Sequence, residues 1–188
     1  MNNRDSLPSV AAWRAAHLVE RLGRHLRAGD FDKGLNPAQR EALRYLARAN
    51  RFSKTPAALA DYFASSRGTV SQTLIALEGK GLIEKTKSDS DGRSVILALT
   101  AMGRAYVAAD DETLLARDIE STGEAALIAS ALEAALRAAI RRRGGREFGV
   151  CRTCRHFERD GATRRCALLD EPLTAQDAEA ICAEMEAA

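Results

Sequence analysis

The sequence predicts a mainly α-helical fold with a small β wing, followed by a small cysteine-rich module at the C-terminus. Three observations carry this. Hydrophobic residues make up 46% of the chain and aromatics only 5%, and its many Ala and Leu residues recur at helical spacings, which favours helices over a sandwich. One Asp-Gly pair, Asp91-Gly92, separates two short strand-like runs, as in a hairpin. All four cysteines, Cys151, Cys154, Cys166 and Cys182, follow 150 residues that contain none. A length of 188 residues suits one domain with an appendage.

The first helix spans Leu7 to Arg27, where Val10, Trp13, Leu18, Leu22 and Leu26 form a stripe about one turn apart. Asn36-Pro37-Ala38-Gln39 opens a second, because Asn caps, Pro tolerates the first helical position and Gln reaches back. It turns Leu43, Leu46 and Ala47 inward and ends near Asn50. Thr55-Pro56 opens a third by the same logic, burying Leu59, Ala60 and Phe63 and ending near Ala64. Ser65 and Ser66 cap a fourth with Val70, Leu74 and Leu77 on one face; Gly79 and Gly81 can supply the left-handed backbone that stops it.

Strands follow at Ile83–Lys87 and Ser94–Leu99, joined by Ser88–Arg93. Thr100 caps a fifth helix running through Met102 and Tyr106 to about Leu114. Ser121-Thr122-Gly123-Glu124 matches the S-x-x-E capping box and launches a helix with Ile128, Leu132, Leu136 and Ile140 at four-residue spacing. That helix ends at Arg141–Gly145, where cations suit its negative end. Thr174–Asp177 reads as a capping box before a short helix carrying Ala178, Ile181, Cys182 and Met185.

The third and fourth helices form a helix-turn-helix. The second of the pair presents Ser65, Ser66, Arg67, Thr69, Ser71, Gln72 and Thr73 at its N-terminal face, groups that hydrogen-bond phosphates and base edges in a major groove. The segments LNPAQREALRYLA, TPAALADYFASSRGTVSQTLIALEGKGLIEK and SDSDGRSVILALTAMGRA resemble the winged helix-turn-helix core of the MarR (multiple antibiotic resistance regulator) family. The resemblance spans Leu35 to Ala105, and flanking helices extend it to about Arg143.

This resemblance implies a sequence-specific DNA-binding transcriptional regulator, with repression the expected direction, acting as a homodimer on a pseudo-palindromic operator in double-stranded DNA. It places Ser66, Arg67, Thr69, Ser71, Gln72 and Thr73 on the recognition face. Arg93 matches a wing arginine that enters the minor groove, and Asp91 an acid that holds that arginine. Gly68 and Ser94 depart from the family pattern, so base preference does not transfer. The domain reading is 1–34 for an N-terminal dimerisation helix and loop, 35–105 for the winged helix, 106–145 for C-terminal dimerisation helices and 146–188 for the cysteine-rich module. His17 and His25 can line a cleft for a small-molecule effector.

C-x2-C places two sulfurs on one turn. Loops of 11 residues to Cys166 and 15 to Cys182 close back at modest entropic cost. A metal would supply the folding free energy a segment this small lacks, with disulfides or free thiols as the alternative, and four thiolates suit tetrahedral Zn²⁺ or a [4Fe-4S] or [2Fe-2S] cluster. His156 can replace a sulfur. The module is either structural or a sensor.

From Arg141 to Arg165 nine Arg face three acids, whereas from Ala167 onward six acids stand without a base; the alternatives are a polyanion contact or mutual neutralisation. With neither a signal-peptide core nor about 18 consecutive apolar residues, a cytoplasmic protein without membrane spans is expected. No catalytic arrangement surrounds the thiols and no enzyme is expected. The competing reading is a thiol- or iron-sulfur-based redox protein whose cysteine module carries the main activity.

Overall fold

The computed structural model describes residues 7–28, 34–87 and 95–187. The chain divides into two compact units, Met1–Pro37 and Ala38–Ala188. The first contains helix α1 (Val10–Ala28), with Trp13, Leu18 and Leu22 exposed along its length.

The second unit is built on α2 (Pro37–Arg48), α3 (Pro56–Tyr62), α4 (Arg67–Gly79) and an antiparallel pair, β1 (Ile83–Lys87) with β2 (Val95–Leu99), in register Ile83↔Leu99. Its core is Leu43 and Leu46 of α2, Leu59 of α3, Leu74 and Leu77 of α4 and Leu97 of β2, each at most 2% exposed. Ala47, expected inward, is exposed. Ala42 and Tyr45 take the inward face of α2 instead. The main-chain N–H of Leu97 donates to Lys54 O at 2.8 Å, tying the segment before α3 to β2.

Local chemistry starts most of these helices where the residues require. Thr55 accepts from Ala58 N, Ser66 from Thr69 N and Thr100 from Gly103 N, each satisfying an otherwise orphaned first-turn donor. Gly81, at φ +68, ends α4 while Leu82 N–H donates back to Leu77 O at 3.0 Å. Gly79 is simply the last helical residue.

The turn between α3 and α4 closes in the same way: Ser65 N–H donates to Ala60 O and Ala64 N–H to Asp61 O, with Ala64 at φ +47. A Cβ in that left-handed region is strained, and glycine removes the strain. Ala64→Gly should raise stability by about 0.5–1 kcal/mol, read as an upward shift of the denaturation midpoint; an unchanged or lower midpoint contradicts it.

Two expected boundaries are corrected. The helix expected to run from Thr100 to Leu114 is two, α5 (Ala101–Ala108) and α6 (Asp111–Ser121). They break at Asp110, which is 1% exposed and held by Arg44 of α2. Burial pushes its carboxyl up, but the hydrogen bond and charge of Arg44, the Asp111 N–H and the Arg40 charge outweigh it and hold the carboxyl below its ordinary value. The Arg44 guanidinium lies 3.2 Å from Glu112, which also pairs with Arg48.

The Ser121–Glu124 capping box does not form. Ser121 ends α6 with its hydroxyl donating to Asp118 O, Gly123 takes φ +73, and α7 (Ala125–Arg142) starts after Glu124 without a side-chain cap bond. A left-handed Gly within the motif breaks its geometry. No residue of α7 is buried, and Leu127, Leu132 and Leu136 are exposed.

Candidate functional site

Two sites emerge, on opposite kinds of scaffold. On α4, Val70, Leu74 and Leu77 are buried while Ser66, Arg67, Thr69, Ser71 and Gln72 are exposed and Thr73 is half-buried. Some of these hydroxyls have intrahelical work: Ser66 Oγ lies 2.8 Å from Thr69 Oγ1, and Thr73 Oγ1 donates to Thr69 O at 3.1 Å. Arg67, Ser71 and Gln72 extend from the same face. Asp91 and Arg93 lie outside the described residues.

The second site is the C-terminal module: β3 (Gly149–Val150), a 3-10 turn at Cys151–Thr153, a hairpin of β4 (Phe157–Asp160) and β5 (Thr163–Cys166), β6 (Glu171–Pro172), helix α8 (Ala175–Ala178) and β7 (Ile181–Cys182). The Thr174/Asp177 capping box is present in full. Cys182, expected on a helix, lies on a strand instead. The Ala-rich stretch leaves the helix after Ala178 because Gly149↔Cys182 and Val150↔Ile181 pair antiparallel, so tertiary pairing overrides local helix propensity.

Pairing brings the two remote cysteines to the C-x2-C turn. Cys182 lies opposite Gly149, two residues before Cys151, and Cys166 lies opposite Phe157, three residues after Cys154. Cys151, Cys166 and Cys182 are buried and Cys154 is half-buried. Cys151, Cys182 and Met185 form one packed cluster with Cys154 against it. Among the described residues, no three Cys, His, Asp or Glu side chains form a ready-made ligand set.

The surroundings treat the sulfurs differently. Asn50 Nδ2 lies 3.3 Å from Cys151 Sγ, and Glu186 N–H donates to Cys154 Sγ at 3.4 Å. A hydrogen bond from Cys151 pulls the Cys182 thiol down to about 6, against its burial and with help from Glu184 N–H, Asn50 and Ser53. The same bond, together with burial, pushes the Cys151 thiol up. Hydrogen-bond donors thus reach Cys151 and Cys154. His156 is within 3.4 Å of Glu186 Oε1 and its main-chain carbonyl accepts from Ala167.

Four arginines of the basic stretch meet acids of the tail. Arg146 meets Glu184 at 2.6 Å, Arg152 meets Glu179 at 2.8 Å, Arg155 meets Glu186 at 3.2 Å, and Arg165 pairs with Asp170. Each pair is well exposed, so each contributes at most about 1 kcal/mol. Their effect is on charge rather than stability.

The module docks on the segment joining α2 to α3, whose residues the sequence reading missed. Asn50 N–H donates to Ile181 O at 2.9 Å, Ala183 N–H donates to Ser53 Oγ at 2.8 Å, and Arg51 reaches Asp177 at 2.8 Å and Pro172 O at 2.7 Å. Phe148 stands edge-on to Tyr62 of α3, ring centroids 5.1 Å apart. Polar residues in an interhelical turn carry no sequence signal of such a role. On α1, His17, Arg21, Arg24 and His25 line an open hollow of about 390 Å³. Among the described residues, no helix is long and apolar enough to cross a membrane.

Comparison with known proteins agrees with this architecture. Residues 33–94 match the model of the MarR family. A mutant of S. aureus MepR superposes with a TM-score of 0.52 at 20% identity, covering 70% of this chain and 99% of its own. Streptococcus pneumoniae FabT, in complex with DNA, gives 0.52 at 20% identity over 68% of this chain and 96% of its own. The S. aureus MepR–DNA complex gives 0.50 at 19% identity, over 70% and 99%. No curated protein matches the sequence. These chains are matched almost whole, so the surplus belongs to the present chain. The match to the MarR family model over residues 33–94 and these superpositions identify the fold as the MarR-type winged helix.

Proposed function

We propose that the chain is a sequence-specific DNA-binding transcriptional regulator, a repressor acting as a homodimer on a pseudo-palindromic operator. The observation that carries this is α4: a capped helix with one wholly buried apolar face and Arg67, Ser71 and Gln72 exposed on the other. Such a helix enters a major groove with its polar side chains toward base edges. MepR and FabT have both been solved with DNA, which supports carrying that role to this fold. The exposed apolar stripes of α1 and α7 support dimerisation, since two long helices with uncovered Leu residues bury them against a second copy. The cation-lined hollow on α1 suits an acidic small-molecule effector.

The four cysteines are the proposed ligands of a tetrahedral metal centre, Zn²⁺ first and an iron-sulfur cluster second. Bound metal would supply the folding free energy that so small a module lacks. Asn50 and the Glu186 N–H would orient the sulfurs. Absorption spectra and elemental analysis of anaerobically purified protein separate the two: a colourless protein with one Zn²⁺ per chain supports zinc, and a brown protein with labile sulfide supports the cluster.

Fluorescence-anisotropy titration of a duplex selected from a random library tests the DNA reading. Arg67→Ala and Arg93→Ala should each weaken binding by about 1–3 kcal/mol, roughly 5- to 150-fold at fixed salt, with the thermal midpoint unchanged. Wild-type affinity in both variants, or failure of the wild-type chain to select any sequence, refutes it.

A further inference from the structure

Helix α4 carries one large apolar side chain on the side away from its core. Ile75 is 53% exposed, while Val70, Leu74 and Leu77 of the same helix are buried. Among the described residues of the winged helix, Tyr62 and Met102 are the other large hydrophobics left exposed, and both have neighbours within the fold. Tyr62 stands against the rings of Tyr45, Phe63 and Phe148, and Met102 Cε lies 3.2 Å from where a Cβ on Gly81 would stand. At an outward position isoleucine gives a helix little, because its branched Cβ restricts χ1 and lowers helix propensity. Single exposed hydrophobics are common on protein surfaces, so the neighbours of this one decide what it does.

Ile75 follows Ser71 by four residues and Gln72 by three, so the three side chains share one face. Gly68 completes the spacing i, i+3, i+4, i+7, by which a helix lying in a major groove presents a row of positions to base edges. A Cβ at Gly68 would meet Ser66 Oγ at 3.8 Å, so the fold leaves room for a side chain there and the sequence supplies none. That bare turn lets the helix approach a ligand closely, and side-chain reading along the row falls to Ser71, Gln72 and Ile75. Glu78, three residues beyond Ile75, is paired with Lys85 of β1 at 2.6 Å, which offsets its repulsion toward phosphate.

We infer that Ile75 is a specificity-determining residue that packs on the C5-methyl group of a thymine in the major groove. This deepens the proposed reading of α4 as the DNA reader and rests on it. The thymine methyl is the apolar group among the base edges of that groove; cytosine and adenine present amino donors and guanine presents acceptors. Against thymine, Ile75 buries its exposed half on a methyl and both surfaces leave water. Against cytosine, the same side chain covers an amino donor and offers it no acceptor, and an unsatisfied buried donor is what rejects the wrong base. Ser71 and Gln72 carry hydrogen-bonding groups on the same face, so polar and apolar reading stand side by side on one turn of α4.

The test uses the full-length protein and a duplex selected from a random library by the wild type, with affinity read by fluorescence anisotropy at fixed salt. Each thymine of the selected half-sites is replaced in turn by deoxyuridine, which removes the methyl group and keeps every hydrogen-bonding atom. For the wild type, one thymine position should show a penalty of about fourfold when changed in one half-site, the worth of one buried methyl, and about 15-fold when changed in both. In Ile75→Ala the penalty at that position should fall to within about 1.5-fold of none, while penalties at distant positions keep their size. A residue that only supported the fold would weaken binding to every duplex alike and leave the deoxyuridine penalty intact. Should Ile75→Ala fold poorly, Ile75→Gln decides by the same readout. A full-size penalty in the folded variant, or a wild type indifferent to every thymine methyl, overturns the inference and leaves α4 as the DNA reader. A wild type that selects no duplex overturns that underlying reading instead, and the inference with it.

Discussion

Cys182→Ser should lower metal affinity by more than about 100-fold, because even an outer-shell partner is worth 10- to 100-fold and this residue is a proposed ligand. The consequence for stability is large, since the free energy of structural metal binding in small modules is folding free energy. Cys182 anchors the β3–β7 pair through its register with Gly149 and packs on Cys151 and Met185. Without it, residues 149–187 should lose amide hydrogen-exchange protection while the Leu43–Leu59–Leu77 core keeps its own. Chelation of the wild type should give the same pattern. Metal content read by elemental analysis at wild-type level in the variant contradicts the ligand assignment.

Asp110→Ala should cost about 3–5 kcal/mol, the range for removing one partner of a buried ion pair. Asp110 is 1% exposed and its partner Arg44 has a side chain 14% exposed, so the variant leaves a nearly buried guanidinium with less compensation. It also removes the residue at which α5 ends and α6 begins. Denaturant unfolding monitored by circular dichroism checks the magnitude, and a loss below about 1 kcal/mol would contradict the assignment. The pH dependence follows from the depressed carboxyl. A carboxylate whose folded value lies below its unfolded value of 3.8 contributes stability that is complete above that value. The contribution is lost as pH falls through the folded value. Wild-type stability should therefore drop more steeply below about pH 4 than that of Asp110→Asn, which has no such carboxyl to protonate.

Much of the winged helix is legible because its signals are local. Thr55-Pro56, Ser66 and Thr100 cap the helices they precede, Gly81 ends α4, and the apolar spacing of Val70, Leu74 and Leu77 turns those residues inward. A hydroxyl two or three residues from an orphan N–H acts within one turn of chain, so neighbours in sequence suffice to recognise it. Where the reading failed, a distant residue competed with local preference. The α5–α6 break depends on Arg44, 66 residues away. The Ser121 motif was right in spelling but contains a glycine that takes φ +73.

The candidate sites divide in the same manner. The exposed polar face of α4, the candidate DNA-reading surface, follows from periodicity, since Val70, Leu74 and Leu77 are buried along the opposite side. The four cysteines were visible by residue type and spacing, but their support was not. Asn50 lies 101 positions from Cys151, and Ser53 lies 130 from Ala183.

By itself the sequence determined where most of the winged-helix elements begin and end, and which residues are candidates for DNA contact and thiol chemistry, because capping, periodicity and turn formation are short-range interactions. Only the tertiary structure decided that Arg146, Arg152, Arg155 and Arg165 meet acids of the tail, that Cys182 lies on a strand, and that the cysteine module rests on the α2–α3 segment. These outcomes depend on hydrogen bonds and charges between residues far apart in the chain, whose meeting is set by the packing of the whole core.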